Sequence, residues 1–122
     1  MKSHRDLDVW KRSIGLVSEV YVLTKRFPAD ELYGLTSQMR RAAVSVPSNI
    51  AEGAARGSSK EFTRFLSISL GSLAEMETQL LIATNLKYLQ PDNTISQEID
   101  RLRKMLHGLI NSVNSKKRQN AH

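Results

Sequence analysis

Apolar side chains recur at steps of three and four residues along four segments of the chain. This spacing is typical of one face of an α-helix and not of a half-buried strand. The first stripe is Leu7, Trp10, Ile14, Val17, Tyr21, Thr24 and Phe27, and the second is Leu32, Leu35, Met39, Ala42 or Ala43, Val46 and Ile50. The third is Phe62, Leu66, Ser69, Leu73, Met76, Leu80 and Thr84, widened by Phe65, Leu70 and Leu81, and the fourth is Ile95, Ile99, Leu102, Leu106, Leu109 and Val113.

Three short connections at residues 27–30, 53–59 and 90–93 separate these stripes. Each contains Pro, Gly or a residue that favours a helix N-cap, which are signals for ending one helix and starting the next. The expected N-caps are Asp30, Ser58 or Ser59, and Thr94 with Gln97 as its partner.

The pattern predicts helices at about 6–27, 30–56, 59–89 and 94–114, in a domain spanning 1–114. Residues 115–122 are basic and lack an apolar anchor, so we expect a flexible tail there. Helices joined by short turns favour an all-α, up-down-up-down antiparallel four-helix bundle.

Two features within the predicted helices disturb the simple pattern. Pro47 lies inside the second helix, so we expect a kink or a short break near Ser45. The third helix is rich in small residues, which allow either close packing within the chain or a contact between subunits: Ser67, Ser69, Gly71, Ser72 and Ala74.

The composition fits a single domain of 122 residues without cysteine. The charged N-terminus lacks the apolar core of a signal peptide, and no apolar stretch is long enough to span a bilayer. We therefore expect a cytoplasmic protein with no membrane partner. The formal charge of +6 favours a polyanionic partner, although a merely basic surface would give the same total.

Motifs for catalysis are missing from the sequence. The histidines at positions 4, 107 and 122 are isolated and lack a second ligand at metal-binding spacing. The segment from Gly53 to Lys60 contains glycines and a lysine, but not in the order of a phosphate-binding loop. The sequence predicts no enzyme, no metal site and no cofactor.

Basic residues gather at the second connection and in the tail. Arg56, Lys60 and Arg64 have helical spacing and can project from one end of a bundle. The tail adds Lys116, Lys117 and Arg118. These six residues are the candidate nucleic-acid-binding site, with a solvated surface as the alternative interpretation.

A second group of polar residues lies along the predicted hairpin of helices two and three: Arg40, Arg41, Asn49, Glu52, Glu75 and Glu77. A turn near Gly57 places Arg40 and Arg41 opposite Ala74 and Glu75. We therefore predict a partly buried Arg41–Glu77 or Arg40–Glu75 pair that sets the helix register.

One run of residues also carries a family resemblance. The patterns SxMRRAxxSxPSNIAEG and EFxxFLxxxxGSLxExxT lie between Ser37 and Thr78. Together with the opening DLDVWKRSIGLVSEVY, they make the chain similar to the four-helix-bundle family of the 23S rRNA intervening-sequence proteins. The matching positions are Arg40, Arg41, Pro47, Asn49, Glu52, Gly53, Arg56, Phe62, Leu66, Gly71, Ser72, Glu75 and Thr78.

The resemblance implies a non-enzymatic protein that assembles as a homopentamer. A related branch, the accessory variability proteins of diversity-generating retroelements, implies RNA or DNA and a reverse transcriptase as further partners. A closed ring needs two different contact faces on each subunit. Apolar residues outside the main stripes are the candidates for these faces: Val9, Leu16, Val22, Ile68 and Ile82.

Two functions therefore remain open from the sequence. The first is an oligomeric protein that binds nucleic acid electrostatically, so that its affinity falls as salt rises. The alternative is a ring that serves as a scaffold for other proteins and has no role with nucleic acid.

Overall fold

The structure, a computed structural model, describes residues 3–91 and 93–120, with only the backbone of 6 and 117–120. The helices are α1 (Asp8–Thr24), α2 (Leu35–Ala55), α3 (Ser59–Asn85) and α4 (Thr94–Asn120), with 3-10 turns at His4–Asp6 and Ala29–Glu31. No strand occurs within the described ranges, and the all-α class is confirmed.

Each helix packs against two neighbours, in the cyclic order α1, α2, α3, α4. The predicted stripes of α2, α3 and α4 supply most of the core, including Met39, Leu66 and Leu102, each of which is fully buried. Short connections make neighbouring helices run in opposite directions. The four helices form a bundle, as predicted.

The predicted stripe of α1 is confirmed at Thr24 and Phe27, which are buried, but is wrong at its exposed positions. Val9, Leu16 and Val20 are buried, whereas Ile14 and Tyr21 are exposed. The error arises because α1 has two apolar stripes, and the buried one contains Ser13. This serine is accommodated in the core because its hydroxyl donates to the Trp10 carbonyl at 2.7 Å. Val9 and Leu16 therefore belong to the core of the subunit and not to an outer contact face.

The second helix begins at Leu35, not at Asp30 as predicted. The Glu31 carboxylate takes over the capping role, since its Oε1 accepts from the Leu35 N–H at 3.2 Å. Gly34 leaves room for this contact, because a Cβ at this position would lie 2.8 Å from that oxygen and would make the Glu31 side chain shift. The Glu31 Oε2 accepts from the Tyr88 hydroxyl at 2.8 Å, which ties the start of α2 to the α3–α4 connection.

The other two predicted N-caps have different outcomes. Ser58 or Ser59 was predicted to cap α3, and Ser58 does so. Its hydroxyl accepts a hydrogen bond from the Glu61 N–H at 3.2 Å. The prediction of Thr94 is wrong, because Asn93 caps α4 instead. Its Oδ1 accepts from the Ser96 N–H at 3.0 Å.

The predicted break near Ser45 does not occur, since α2 is continuous from Leu35 to Ala55. Pro47 is buried, and its missing N–H removes only one bond of the helix. Two residues further on, the Asn49 amide adds a bond within the helix by donating to the Ser45 carbonyl at 2.8 Å. Loss of one bond is therefore tolerated.

The third helix ends at Asn85, earlier than the predicted 89. Lys87 has a left-handed φ of 65°. The backbone N–H of Lys87 donates to Thr84 and that of Tyr88 to Ala83, both at 2.9 Å. These two bonds form a Schellman motif, which turns the chain out of the helix.

The predicted tail is also wrong over 115–120, where α4 continues to Asn120. No Gly or Pro interrupts the sequence after Gly108, and Lys and Arg are good helix formers. Their positive charge is also favourable near a helix C-terminus. The last two residues of the predicted tail, 121 and 122, lie outside the described residues.

Candidate nucleic-acid interface

The α2–α3 turn brings Arg56, Lys60 and Arg64 to one end of the bundle. Arg56 follows the last residue of α2, and the other two lie in the first turns of α3. The chain reverses at Gly57, whose φ of +81° is a conformation that glycine adopts without strain. All three basic side chains are exposed.

Two of these three basic residues are already in ion pairs. Arg56 lies 2.7 Å from a carboxylate oxygen of Glu52, and Arg64 lies 3.3 Å from one of Glu61. Exposed pairs of this kind contribute at most about 1 kcal/mol, so a phosphate can replace either carboxylate. Lys60 has no carboxylate partner among the described side chains, which leaves it as the readily available cation of the turn.

The same two arginines flank one aromatic ring. The guanidinium carbons of Arg56 and Arg64 both lie 5.1 Å from the ring centroid of Phe65. This distance is within the range of cation–π attraction. The buried Phe65 ring therefore holds both guanidinium groups close to the surface of the turn.

The C-terminal part of α4 reaches the same end of the bundle. An ion pair between Glu77 of α3 and Arg103 of α4 sets the register of these antiparallel helices. Both helices rise by about 1.5 Å per residue, so residues 60–64 lie roughly level with 116–120. The Lys116 side chain is exposed, and the α4 backbone carries Lys117 and Arg118 to this level.

The predicted pairs of the polar cluster, Arg41–Glu77 and Arg40–Glu75, are both wrong. Arg40 turns toward α1, where its Nε donates to Thr24 Oγ1 at 2.9 Å and its guanidinium lies 4.5 Å from the Tyr21 ring centroid. Glu77 turns toward α4 and pairs with Arg103. Arg41 and Glu75 are exposed and make no ion pair with any described residue.

Asn49 and Glu52 also fall outside a single cluster. Asn49 bonds to Ser45 within α2, and Glu52 belongs to the Arg56 ion pair. The Ser45 hydroxyl in turn lies 2.7 Å from that of Ser72 on α3. A further bond joins Ser69 to the Val46 carbonyl at 2.9 Å, so these two small residues of α3 serve packing within the chain.

Sequence reasoning missed an exposed apolar groove between α1 and α2. It is lined by Tyr21, Leu32, Tyr33, Arg40, Arg41 and Val44. The sequence did contain a signal for this groove, namely the second apolar stripe of α1. Only one of two stripes on a helix can face the core, so the other is left on the surface.

The described residues contain no group of acidic, histidine or cysteine side chains arranged to hold a metal ion. Among the described residues, neither of the resolved pKa shifts belongs to a basic residue of the α2–α3 turn or of the C-terminal part of α4. A hydrogen bond to Glu98 raises the pKa of Arg12, and one to Glu31 raises the pKa of Tyr88. Of the helices described, none has the length and apolar character required to cross a membrane.

These features define a small antiparallel helical bundle with a basic end and an open apolar groove. Comparison with protein families gives a match over residues 5–108 to the family described as 23S rRNA-intervening sequence protein. The chain belongs to this family, and the resemblance seen in the sequence is confirmed. No curated protein matches the sequence significantly.

Proposed function

We propose that the protein is a non-enzymatic, cytoplasmic homo-oligomer, a ring of five, that binds RNA or DNA electrostatically through the basic end of each bundle. The convergence of the α2–α3 turn and the C-terminal part of α4 at one end carries this proposal. Residues that are distant in sequence, such as Lys60 and Lys116, thereby act on one polyanion.

Assembly strengthens this attraction without any new contact. Each chain has a net charge of +6, and a ring repeats the basic end once per subunit. Several weak phosphate contacts on one strand then act together, because the second binding event is intramolecular. The exposed Val22, Ile68 and Ile82 are the candidates outside the main stripes that remain available for subunit contacts.

The first test is the mass of the protein in solution. Light scattering on the eluted protein should give the mass of a pentamer, and a monomer over the whole concentration range would refute the oligomer.

The second test is titration of a structured RNA and of duplex DNA at several salt concentrations. We expect the logarithm of the affinity to fall linearly with the logarithm of the salt concentration.

A pair of matched variants locates the contact. Lys60→Gln with Lys116→Gln removes two charges from the basic end, while Lys25→Gln with Lys87→Gln removes two from the opposite end. We expect the first variant to reduce the salt slope by about one unit per lost phosphate contact. The second should retain the wild-type slope. Equal losses in both variants would mean that the basic end is not the binding site.

Low salt strengthens electrostatic contacts with phosphates, so binding should be detectable near 50 mM salt. An undetectable affinity under this condition would refute the nucleic-acid function. A ring that nevertheless forms would then support the protein-scaffold alternative.

A further inference from the structure

The exposed large hydrophobic side chains are unevenly distributed over the bundle. They are Ile14, Tyr21, Val22, Leu32, Tyr33, Val44, Ile68, Leu81, Ile82 and Leu86. All of them lie on α1, α2, α3 or the connections, and none belongs to the described side chains of α4. Where exposed apolar residues form a contiguous patch, they mark a candidate site of interaction with another molecule.

The groove between α1 and α2 has the composition of a protein interface. Tyr33, which is 94% exposed, lies beside Leu32 and Val44. Arg40 is fixed against the Tyr21 ring, whereas Arg41 at the same groove makes no ion pair with a described residue. Tyrosine and arginine are enriched among the residues that contribute most to binding between proteins.

A complementary ridge runs along α3. Ile68, Glu75 and Ile82 are spaced seven residues apart and therefore lie on one helical face, which Leu86 extends by one turn. Both isoleucines are exposed. Glu75 lies midway between them and, like Arg41, makes no ion pair within the described part of the chain.

We propose that the α3 ridge of one copy docks into the α1–α2 groove of the next, with Arg41 and Glu75 forming an ion pair between chains. This inference rests on the proposed homo-oligomer and names its contacting surfaces. Both surfaces combine apolar side chains with one unpaired charge, and the two charges are opposite. A second copy of this chain is therefore the partner that fits.

The groove lies between α1 and α2 and the ridge lies on α3, so a contact that pairs the groove of one copy with the ridge of the next is head-to-tail. Such contacts close into a ring when the rotation between subunits permits it. The arrangement leaves α4 outside the contact, where its polar surface and its basic end stay open to solvent.

Charge reversal tests the ion pair. Arg41→Glu and Glu75→Arg should each raise the concentration at which the assembly dissociates at least about tenfold, in the range measured for close interfacial pairs. The double variant should assemble again. Mass is measured by light scattering over a dilution series, with circular dichroism confirming that each variant is folded.

Mixing the two single variants separates contacts between chains from contacts within one chain. The groove of the Arg41→Glu variant carries a negative charge and attracts the ridge of the Glu75→Arg variant, which carries a positive one. An equimolar mixture should therefore assemble more strongly than either variant alone. A pair within one chain cannot be restored by mixing, and an unchanged mass on mixing would overturn the proposal.

Adjacent residues of α3 supply a matched apolar control. Ile82→Ser alters the ridge, while Leu81→Ser alters the side of α3 that faces α4. We expect only the first to dissociate the assembly.

The outcome for the wild-type protein separates the two proposals. If the wild-type protein is a monomer, the proposed oligomer fails. If the wild-type assembles and these variants assemble equally well, the oligomer stands and the proposed surfaces are wrong.

Discussion

The side-chain oxygen of Gln79 is buried and accepts no hydrogen bond from the described residues. An unsatisfied buried acceptor costs about 1–3 kcal/mol. Methionine has a similar length without this acceptor, so Gln79→Met should raise the free energy of unfolding by about 1 kcal/mol. Urea denaturation measures the change. Gln38→Met, at an exposed position of α2, should change the free energy by less than about 0.5 kcal/mol. A Gln79→Met protein that is less stable would show that the amide has a partner.

Tyr88 makes the stability of the fold sensitive to alkaline pH. The hydrogen bond to Glu31, followed by burial, raises the pKa of the Tyr88 phenol in the folded protein. The stabilisation is therefore fully present below the unfolded-state pKa of about 10 and is lost as pH rises through the higher folded-state value. Thermal unfolding of the wild type and Tyr88→Phe should differ most below pH 10 and converge above it. A difference that stays constant across this range would contradict the assignment.

At the scale of single residues, the partners of polar side chains were the hardest feature to predict from the sequence. Ser45 of α2 lies 2.7 Å from Ser72 of α3, so Arg41 and Glu75, each about one turn further from the α2–α3 turn, lie at similar levels of the hairpin. Each step along a helix, however, rotates the side chain by about 100°. Arg40 therefore points to α1 and Glu77 to α4, and the sequence contains no direct measure of these directions.

At the scale of elements, α2 and α3 approach each other closely at Gly53. A Cβ there would lie 2.7 Å from the Phe65 Cβ and 3.2 Å from the Phe62 carbonyl oxygen, and neither can move freely. Gly53→Ala should therefore lower the free energy of unfolding by about 1–3 kcal/mol. Gly108 lies within α4, and a Cβ there would meet no atom within 4 Å, so Gly108→Ala should raise the free energy by up to about 1 kcal/mol. Chemical denaturation that gives the same sign for both would contradict the packing argument.

The end of α3 offers a second test, since Lys87 occupies a left-handed conformation that usually takes glycine. A non-glycine residue costs about 1 kcal/mol there. Lys87→Gly should raise the melting temperature, whereas Lys87→Val should lower it because a β-branched side chain fits this conformation poorly. A melting temperature that falls in both variants would show that the lysine side chain itself stabilises the connection.

The sequence predicted which helices exist more reliably than it predicted the residues at which they begin and end. The predicted stripes of α2, α3 and α4 coincide with most of the buried side chains of these helices, although α3 also carries exposed apolar residues. The two stripes of α1 are equally apolar, and only packing decides between them. Boundaries depended on contacts between distant residues, as when Glu31 caps α2 while it binds Tyr88.

For the whole molecule, charge and apolar surface are divided between different regions. The basic end combines the α2–α3 turn with the C-terminal part of α4, whereas the exposed apolar residues follow α1, α2 and α3. The sequence could predict the basic residues but not that Glu52 and Glu61 partly neutralise them. The proposed binding and the proposed assembly can therefore be tested separately.

Shortening α4 tests this separation directly. Among the described side chains of α4, those that pack against the core end at Val113. A chain that ends after Ser115 should therefore unfold with a free energy within about 0.5 kcal/mol of the full chain and retain its mass in solution. Its affinity for duplex DNA should fall, and the salt slope should decrease by about 0.9 for each phosphate contact that Lys116, Lys117 and Arg118 make. A full-length variant with glutamine at these three positions should show the same slope, since the charges and not the helix length attract the phosphates. If both altered proteins keep the wild-type slope, the C-terminal part of α4 does not contribute to binding.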